Sequence, residues 1–227
     1  MNRFAVIGIG TFGWHVARTL FEAGKTVIAI DLDAEKVQGA AEHSTQAIVA
    51  DATERNTLEA LGVGEVDAAV VSLGERMDVI TLAALHVIDL GVRYVAVKAL
   101  SEDHGRILEA LGVHEVIYPE KDRAIRLASR LARKDVVDFL PLLPGYSITE
   151  VRAPREFVGK SLKELALRNR LNVQLVAIQH NEGGRARINI VPRADDVIQE
   201  GDLLILLGEN GDLDRITDVV SAPPRAG

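Results

Sequence analysis

The sequence predicts an α/β fold, a Rossmann-like doubly wound parallel sheet followed by a second, smaller α+β domain. Short β-rich runs alternate with amphipathic helical stretches over residues 3–118. A glycine-rich motif, Gly8-Ile9-Gly10-Thr11-Phe12-Gly13, follows the first run directly. All seven prolines lie at Pro119 or later, which marks a change of architecture. A length of 227 residues suits one large domain or two modest ones.

The first domain is built from repeated strand–helix units. In the first helical stretch, apolar residues recur from Gly13 to Phe21 with the spacing of one helix face, and Gly24 stands where a C-cap is expected. Strands that alternate with helices of this length indicate a parallel sheet covered on both faces. The predicted strands are Phe4–Ile7, Thr26–Ile30, Gln46–Ala50, Ala68–Ser72, Tyr94–Val97 and Glu115–Ile117.

The second domain follows one more helix, which we expect from Pro119 to about Lys134. We place the first domain at residues 1–134, a linker at 135–145, the second domain at 146–220 and a flexible tail at 221–227. The linker rests on Pro141 and Pro144-Gly145. The predicted elements of the second domain are extended Ser147–Val151, helical Leu162–Arg168, extended Val173–Gln179, Arg187–Val191 and Asp202–Leu207, and helical Leu213–Val220.

Composition excludes several classes of function. The net charge of −7, from 26 basic and 33 acidic residues, argues against binding nucleic acid through its phosphates. The absence of cysteine excludes disulfides, thiolate metal sites and cysteine nucleophiles. The N-terminus lacks a signal-peptide pattern, and the longest apolar run, Leu203–Leu207, is far shorter than the ~20 residues of a membrane span. We therefore expect a soluble chain that reaches a membrane only through a partner.

The glycine-rich motif predicts a nucleotide site, because it follows a strand and opens a helix. Gly8 allows the tight turn, Gly10 lets the backbone approach a pyrophosphate, and Gly13 lets helix and strand pack closely. The first helical turn, with Thr11 and Phe12, then offers backbone N–H groups and a partial positive charge to phosphates.

An acid closes the second strand at the position that supports this interpretation. Asp31 stands where a carboxylate meets the ribose hydroxyls, and an acid there disfavours the 2′-phosphate of NADP. Leu32 follows it and joins the expected binding residues. The alternative for Asp31 is an acid that simply begins the next loop.

Three further strand ends are candidates, because ligands of doubly wound sheets bind at the carboxyl ends of strands. Asp51-Ala52-Thr53 either contacts the adenine or supplies a cap for the helix that begins near Glu54. Ser72-Leu73-Gly74 either passes close to the phosphates or forms a plain turn. Lys98 either reaches a phosphate or is solvated.

We expect no enzymatic activity, because no reaction centre is apparent. The six histidines show neither ligand spacing nor an obvious acid or nucleophile partner, and a hydride-transfer enzyme needs a proton donor and a substrate domain. A small NAD-dependent oxidoreductase and a free-standing NAD or nucleotide sensor remain the alternatives to a non-catalytic regulator.

In combination, the motifs resemble the regulator-of-potassium-conductance (RCK) family. The chain is similar, more closely, to the cytosolic regulatory subunits of bacterial Ktr and Trk potassium-uptake systems. The resemblance runs from Phe4 to about Ile216. It rests on the glycine motif, Ala29-Ile30-Asp31, Asp51-Ala52-Thr53, Val97-Lys98-Ala99, Tyr118-Pro119-Glu120-Lys121-Asp122, Val158-Gly159-Lys160-Ser161-Leu162, Val176-Ala177-Ile178 and Ile198-Gln199-Glu200-Gly201-Asp202.

The resemblance implies a cytoplasmic regulator at the inner face of the membrane. Its dimers would assemble into an octameric ring beneath a membrane potassium channel subunit, and ATP or ADP in the Rossmann clefts would change the shape of the ring. Glu120 would lie near the ribose and a bound divalent or sodium cation, or would be only an acid at a helix N-terminus. Thr11 stands where Ktr regulators often carry an Arg that approaches the third phosphate, and this departure favours NAD(H) as the alternative ligand.

The second domain resembles a lobe that binds cyclic di-AMP between two subunits in several members of the family. Arg168, Gln174 and Pro192 align with positions of that site. The alternative is ordinary structure, a helix-end arginine and a proline at a strand edge.

Overall fold

The computed structural model describes residues 1–132, 136–182 and 185–221 of the chain. The chain divides into two compact units, Met1–Glu120 and Lys121–Gly227.

The first unit is a six-stranded sheet in the order β3-β2-β1-β4-β5-β6, and every neighbouring pair is parallel. This confirms the predicted Rossmann-like fold. The elements are β1 Arg3–Ile7, α1 Thr11–Glu22, β2 Thr26–Asp31, α2 Ala34–Ala40, β3 Gln46–Val49, α3 Arg55–Ala60, β4 Ala68–Val71, α4 Met77–Asp89, β5 Val95–Lys98, α5 Glu102–Ala110 and β6 Glu115–Ile117. Each of the six predicted strands is found within one residue of its expected ends.

Both faces of this sheet are buried, as the short apolar strands predict. Along β1, Ala5 and Ile7 pack into one apolar cluster while Val6, between them, packs into another. This alternation follows from the two-residue repeat of side chains on a strand. A strand buried on both faces cannot slip by one residue without losing both clusters, so the carboxyl end of β1 is fixed in position.

The second unit contains a five-stranded antiparallel sheet in the order β10-β9-β11-β8-β7. Its core includes Phe139, Ile178, Leu204 and Ile216. Its elements are α6 Pro119–Ala132, whose first two residues belong to the first unit, then β7 Val136–Leu143, β8 Tyr146–Arg152, α7 Leu162–Leu165, α8 Leu167–Leu171, β9 Gln174–Glu182, β10 Arg185–Asn189, β11 Leu203–Glu209 and α9 Asn210–Ser221.

The predicted linker at 135–145 is wrong for residues 136–143, which form β7. Pro141 is compatible with this strand because β7 lies at the edge of the sheet, where a residue without an N–H removes no interior bond. The register of β7 against β8 shifts between Pro141 and Leu143, and Pro144 and Gly145 form the turn of a hairpin. The helix assigned to the end of the first domain falls mainly in the second unit.

Two other predictions need correction or lie outside the description. The helix expected over Leu162–Arg168 is divided at Ala166, which adopts a left-handed conformation with φ 46°. The predicted tail at 221–227 lies outside the described residues except for Ser221, the last residue of α9. Over the described ranges, no helix has both the length and the apolar content that crossing a membrane requires.

Candidate functional site

The strand order of the first sheet reverses between β1 and β4, which opens a crevice at the carboxyl edge. β1 pairs with β2 on one side and with β4 on the other, so the loops that follow Ile7, Asp31 and Val71 leave the sheet side by side. In open α/β sheets, ligands bind in this crevice. The predicted site residues of the first unit lie at the carboxyl ends of all six strands or just after them.

The glycines of the loop after β1 have three different environments. Gly8 has φ +93°, and a Cβ atom built on it would lie 2.3 Å from the carbonyl oxygen of Ser72. A Cβ atom on Gly13 would lie 1.9 Å from the carbonyl oxygen of Gly8. A Cβ atom on Gly10 would meet nothing within 4 Å. The chain itself therefore requires glycine at positions 8 and 13, whereas at position 10 glycine leaves open space above the backbone.

Helix α1 begins directly after this open space. Gly10 is its N-cap, no described side chain caps it there, and its first turn carries no acidic residue. Thr11 is exposed and Phe12 is half-buried. The unpaired amides and the dipole of the helix N-terminus thus act without a competing carboxylate in that turn, which suits an anionic group.

The carboxylate of Asp31 is built into the glycine loop. Its Oδ2 accepts a hydrogen bond of 2.6 Å from the backbone N–H of Ile9, and its Oδ1 accepts one of 2.9 Å from that of Asp33. Lys36 Nζ lies 3.9 Å from Oδ1. A carboxylate has about four acceptor positions, so these two bonds leave it able to accept from ribose hydroxyls. Asp31 therefore does more than begin a loop.

The loops after β2 and β3 differ, because the first has an exposed side chain and the second is held by internal hydrogen bonds. Leu32 is 68% exposed, an unusual position for leucine at the mouth of a cleft. Asp51 accepts hydrogen bonds from both the backbone N–H and the hydroxyl of Thr53, and these bonds lower the pKa of its carboxyl group. Ala52 is buried. The alternative of a helix cap is wrong, because the N-cap of α3 is Glu54.

On the β4 side, Ser72 is buried and Leu73 is half-buried, while Gly74 is exposed. The backbone N–H of Ser72 donates to the carbonyl oxygen of Ile7, which ties the start of this loop to β1 beside the glycine turn. A Cβ atom on Gly74 would meet nothing within 4 Å, as at Gly10. Both sides of the crevice thus present a glycine that internal packing does not demand.

Lys98 and Glu120, which we predicted separately, form an ion pair. Lys98 Nζ lies 2.5 Å from Glu120 Oε1, across the carboxyl ends of β5 and β6. The hydrogen bond from Lys98 lowers the pKa of the Glu120 carboxyl group. Lys98 is therefore not simply solvated, and Glu120 is more than an acid in the first turn of α6.

A cation at Glu120 does not fit this arrangement. Nowhere in the described part of the chain do three or more His, Asp or Glu side chains gather as metal ligands. The charged atom beside Glu120 is the Lys98 ammonium, which repels a cation.

The second unit gathers the three residues expected for a second ligand. Arg168, Gln174 and Pro192 line one open cavity of about 420 Å³, together with Lys163 and Arg193. The three cationic side chains at this cavity favour an anionic occupant.

Besides the pair of Lys98 and Glu120, two contacts of the first unit were not foreseen from the sequence. One is the bond from Ile9 to Asp31, which the distance of 22 residues along the chain conceals. The other joins His86 on α4 to the carbonyl oxygen of Thr53 at 3.1 Å. No sequence signal pointed to His86, because a single histidine on a helix has no distinguishing pattern.

Comparison with known protein families finds two matches. Residues 4–119 match the TrkA-N domain, and residues 147–221 match the TrkA-C domain. The first match covers the parallel sheet with its glycine loop, and the second covers most of the antiparallel unit.

Two relatives are similar over almost the whole chain. One is the Ktr system potassium uptake protein A of Bacillus subtilis, 34% identical over 214 residues, with 94% of this chain and 95% of the relative covered. The other is the Ktr system potassium uptake protein A of Vibrio alginolyticus, 33% identical over 207 residues, with coverages of 91% and 92%.

Solved structures show the same fold. The RCK domain of GsuK matches with a TM-score of 0.68 and 18% identity over 99% of this chain. The GsuK channel bound to NAD matches with a TM-score of 0.66 and 17% identity. This chain spans about half of the first of those chains, 48%, and 40% of the second. At these identities the likeness concerns the fold.

Proposed function

The chain belongs to the regulator-of-potassium-conductance family of TrkA-N and TrkA-C domain proteins and is a homologue of the Ktr potassium uptake proteins. We propose that it is a nucleotide-gated regulatory subunit of a potassium-uptake system. It binds an adenine nucleotide in the crevice of the first unit. The bound nucleotide sets the conformation through which the chain controls a membrane subunit. Its role is regulatory and not catalytic.

One observation carries the nucleotide site. The carboxylate suited to ribose, that of Asp31, accepts a hydrogen bond of 2.6 Å from the backbone N–H of Ile9 in the glycine loop. The same loop leaves open space at Gly10, directly before the N-terminus of α1, which no side chain of the described residues caps. The position for a sugar at Asp31 is therefore adjacent to the position for a diphosphate at Gly10. A dinucleotide and a nucleoside diphosphate share this portion, so the geometry supports ADP, ATP and NAD(H) alike.

The identity at position 11 bears on the choice among these ligands. Thr11 is exposed in the first turn of α1 and carries no charge to meet a third phosphate. ATP and ADP remain our first candidates because of the family relationship, and NAD(H) is the alternative that Thr11 favours.

Gating requires only that the ligands bind two conformations with different affinities. A difference of about 1.4 kcal/mol changes the ratio of the two conformations tenfold. We propose that the conformations belong to a ring of dimers, an octamer, at the cytoplasmic face of a Ktr- or Trk-type membrane subunit. The relationship to whole Ktr proteins, at 34% identity over 94% of this chain, supports that partner.

The cavity at Arg168 is proposed as a second regulatory site. Cyclic di-AMP carries two phosphates and two bases, and the cavity offers cations at Arg168, Lys163 and Arg193 beside the amide of Gln174 and the ring of Pro192. The cation proposed beside Glu120 is not retained, since Lys98 occupies that position.

Calorimetry with ATP, ADP, NADH and cyclic di-AMP tests these assignments. We expect saturable binding of at least one adenine nucleotide to the wild-type chain, and no loss of NADH absorbance when candidate substrates are added. Absence of binding by all three adenine nucleotides would remove the proposed function. Steady oxidation of NADH would favour the oxidoreductase alternative.

A further inference from the structure

The loop after β3 is a short, closed turn. The Asp51 carboxylate bonds back to the N–H and the hydroxyl of Thr53, at 2.9 and 2.7 Å, and the methyl group of Ala52 is buried in the core. These contacts fix the shape of the loop. At its outer end, where Glu54 precedes α3, the backbone N–H of Glu54 donates to the carbonyl oxygen of Asp51 at 3.2 Å. All of these bonds lie within the loop, and none of them joins it to another element.

His86 joins the Thr53 end of the loop to another element. Its Nε2 lies 3.1 Å from the carbonyl oxygen of Thr53, 33 residues away along the chain. A carbonyl oxygen only accepts hydrogen bonds, so the contact requires that Nε2 carries the hydrogen. In an imidazole with its one hydrogen on Nε2, Nδ1 is an acceptor. The bond ties the loop to helix α4.

The other ring nitrogen indicates that packing alone does not explain this histidine. Nδ1 of His86 is buried and has no hydrogen-bond partner among the described residues. A buried acceptor without a partner costs stability, and such groups call for an explanation other than stability. The bond from Nε2 to the Thr53 carbonyl oxygen is the contact of this histidine that supplies such an explanation.

The order of the strands says which part of a nucleotide this loop would meet. Neighbouring strands lie ~4.8 Å apart. The glycine loop follows β1 and Asp31 closes β2, so a nucleotide with its diphosphate at Gly10 and its ribose at Asp31 extends toward β3. The base then lies over Asp51-Ala52-Thr53 and the exposed side chain of Leu32.

We propose that His86 is a positioning residue for the adenine end of this site. Its Nε2–H holds the Thr53 carbonyl and thereby sets the loop that the adenine contacts. The inference rests on the proposed function, and it adds a residue that lies outside the glycine motif and the strand ends. His86 itself need not touch the ligand.

A comparison of ADP with GDP tests this role, because the two ligands differ only in the base. In His86→Leu, which lacks a donor, we expect ADP affinity to fall about tenfold while GDP affinity stays within about twofold. In His86→Gln, whose amide nitrogen takes the place of Nε2, we expect wild-type affinity for both. Both replacements are good helix formers, so α4 is retained.

Three results would overturn the inference: an unchanged affinity of His86→Leu for ADP, an equal loss for ADP and GDP, or no rescue by His86→Gln. Should His86→Leu fail to fold, His86→Met removes the donor with a more adaptable side chain and replaces it in the same assay. If the wild-type chain binds ADP normally and one of these results follows, only this inference fails. If the wild-type chain binds neither ADP nor another adenine nucleotide, the proposed function fails with it.

Discussion

The three glycines of the loop after β1 have different physical roles. The structure confirms the tight turn predicted at Gly8 and the close packing predicted at Gly13, whereas the approach of a phosphate at Gly10 stays a prediction. Gly8 needs its left-handed backbone, and Gly13 lies against the carbonyl oxygen of Gly8. The space above Gly10 is what a close phosphate requires. The motif could be interpreted because the positive φ of Gly8 and the contact of Gly13 with Gly8 both lie within six residues of the chain. The bond from Ile9 to Asp31 could not, because it depends on how two strands pair.

Replacement of Gly10 by alanine separates folding from binding. The added methyl group meets no atom of the chain within 4 Å, and the φ of −72° is ordinary for alanine. We expect the free energy of unfolding to change by less than about 0.5 kcal/mol, while nucleotide binding is lost because the methyl group lies in the path of the diphosphate. Urea unfolding and calorimetry measure the two effects.

Gly13→Ala is the matched control for Gly10→Ala. Its methyl group would lie 1.9 Å from a backbone oxygen, so helix α1 must shift, and overpacking of this kind costs about 1–3 kcal/mol. Wild-type nucleotide affinity in Gly10→Ala would count against a diphosphate at this glycine.

Asp31→Asn tests the carboxylate that joins loop and ribose. The oxygen of the amide can accept from one of the two N–H groups, that of Ile9 or that of Asp33. The NH₂ group then faces the second N–H group, donor against donor. We expect unfolding to become easier by about 1–3 kcal/mol and nucleotide affinity to fall about tenfold or more.

Glu22→Gln is the comparison for Asp31→Asn, since it removes one charge from an exposed ion pair with Arg18 at the other end of α1. It should leave affinity unchanged. Equal affinities of Asp31→Asn and Glu22→Gln, measured by calorimetry, would contradict a ribose contact at Asp31.

The pair of Lys98 and Glu120 gives a prediction about pH. The hydrogen bond from Lys98 holds the pKa of Glu120 below its ordinary value of 4.5. A lowered carboxyl pKa stabilises the folded state above pH 4.5, and this contribution is lost as the pH falls through the pKa of the folded state. Because Glu120 is 72% exposed, the contribution is at most about 1 kcal/mol.

In Lys98→Met, we therefore expect the pKa of Glu120 to rise toward 4.5, followed by NMR titration of the carboxyl carbon. The difference in stability between wild type and variant should be present at pH 7 and vanish in acid. An unchanged pKa of Glu120 would show that the pair does not persist in solution.

At the scale of elements, the prediction of a linker failed at β7, a strand that contains a proline. Val136–Leu143 contains Pro141 and ends beside Pro144-Gly145, a composition typical of linkers. Its position at the edge of a sheet makes the proline tolerable, and the edge position depends on β8 and β11, whose pairing no local pattern reveals. The strands of the first unit were predictable because each is short, apolar and buried on both faces.

Replacing alanine by glycine should change the free energy of unfolding in opposite directions at the break between α7 and α8 and in the interior of α6. Ala166 has φ 46° and ψ 42°, which costs an ordinary residue about 1–2 kcal/mol. Ala166→Gly should therefore raise the free energy of unfolding by about 1 kcal/mol. Ala128→Gly, in the exposed interior of α6, should lower it by about the same amount. Urea unfolding that shows a loss in both would contradict the left-handed turn at Ala166.

At the scale of the whole molecule, the two units carry different candidate sites. The first holds the crevice of the parallel sheet, and the second holds the cationic cavity at Arg168. Family membership covers both units, and the Ktr relatives that match over both are potassium uptake proteins. The glycine motif and Asp31 indicated the first site by themselves, whereas the second site was indicated only by the resemblance to a family. The cavity itself could not be derived from spacing, because Arg168 and Pro192 are brought together only by the folded second unit.

The most direct test of the account is potassium flux into vesicles that hold a Ktr-type membrane subunit together with this chain. We predict that ATP, ADP or NADH changes the flux, and that Gly10→Ala abolishes this response while the variant remains folded. A flux that no nucleotide alters, or a full nucleotide response in the folded Gly10→Ala variant, would contradict control of uptake through the glycine loop.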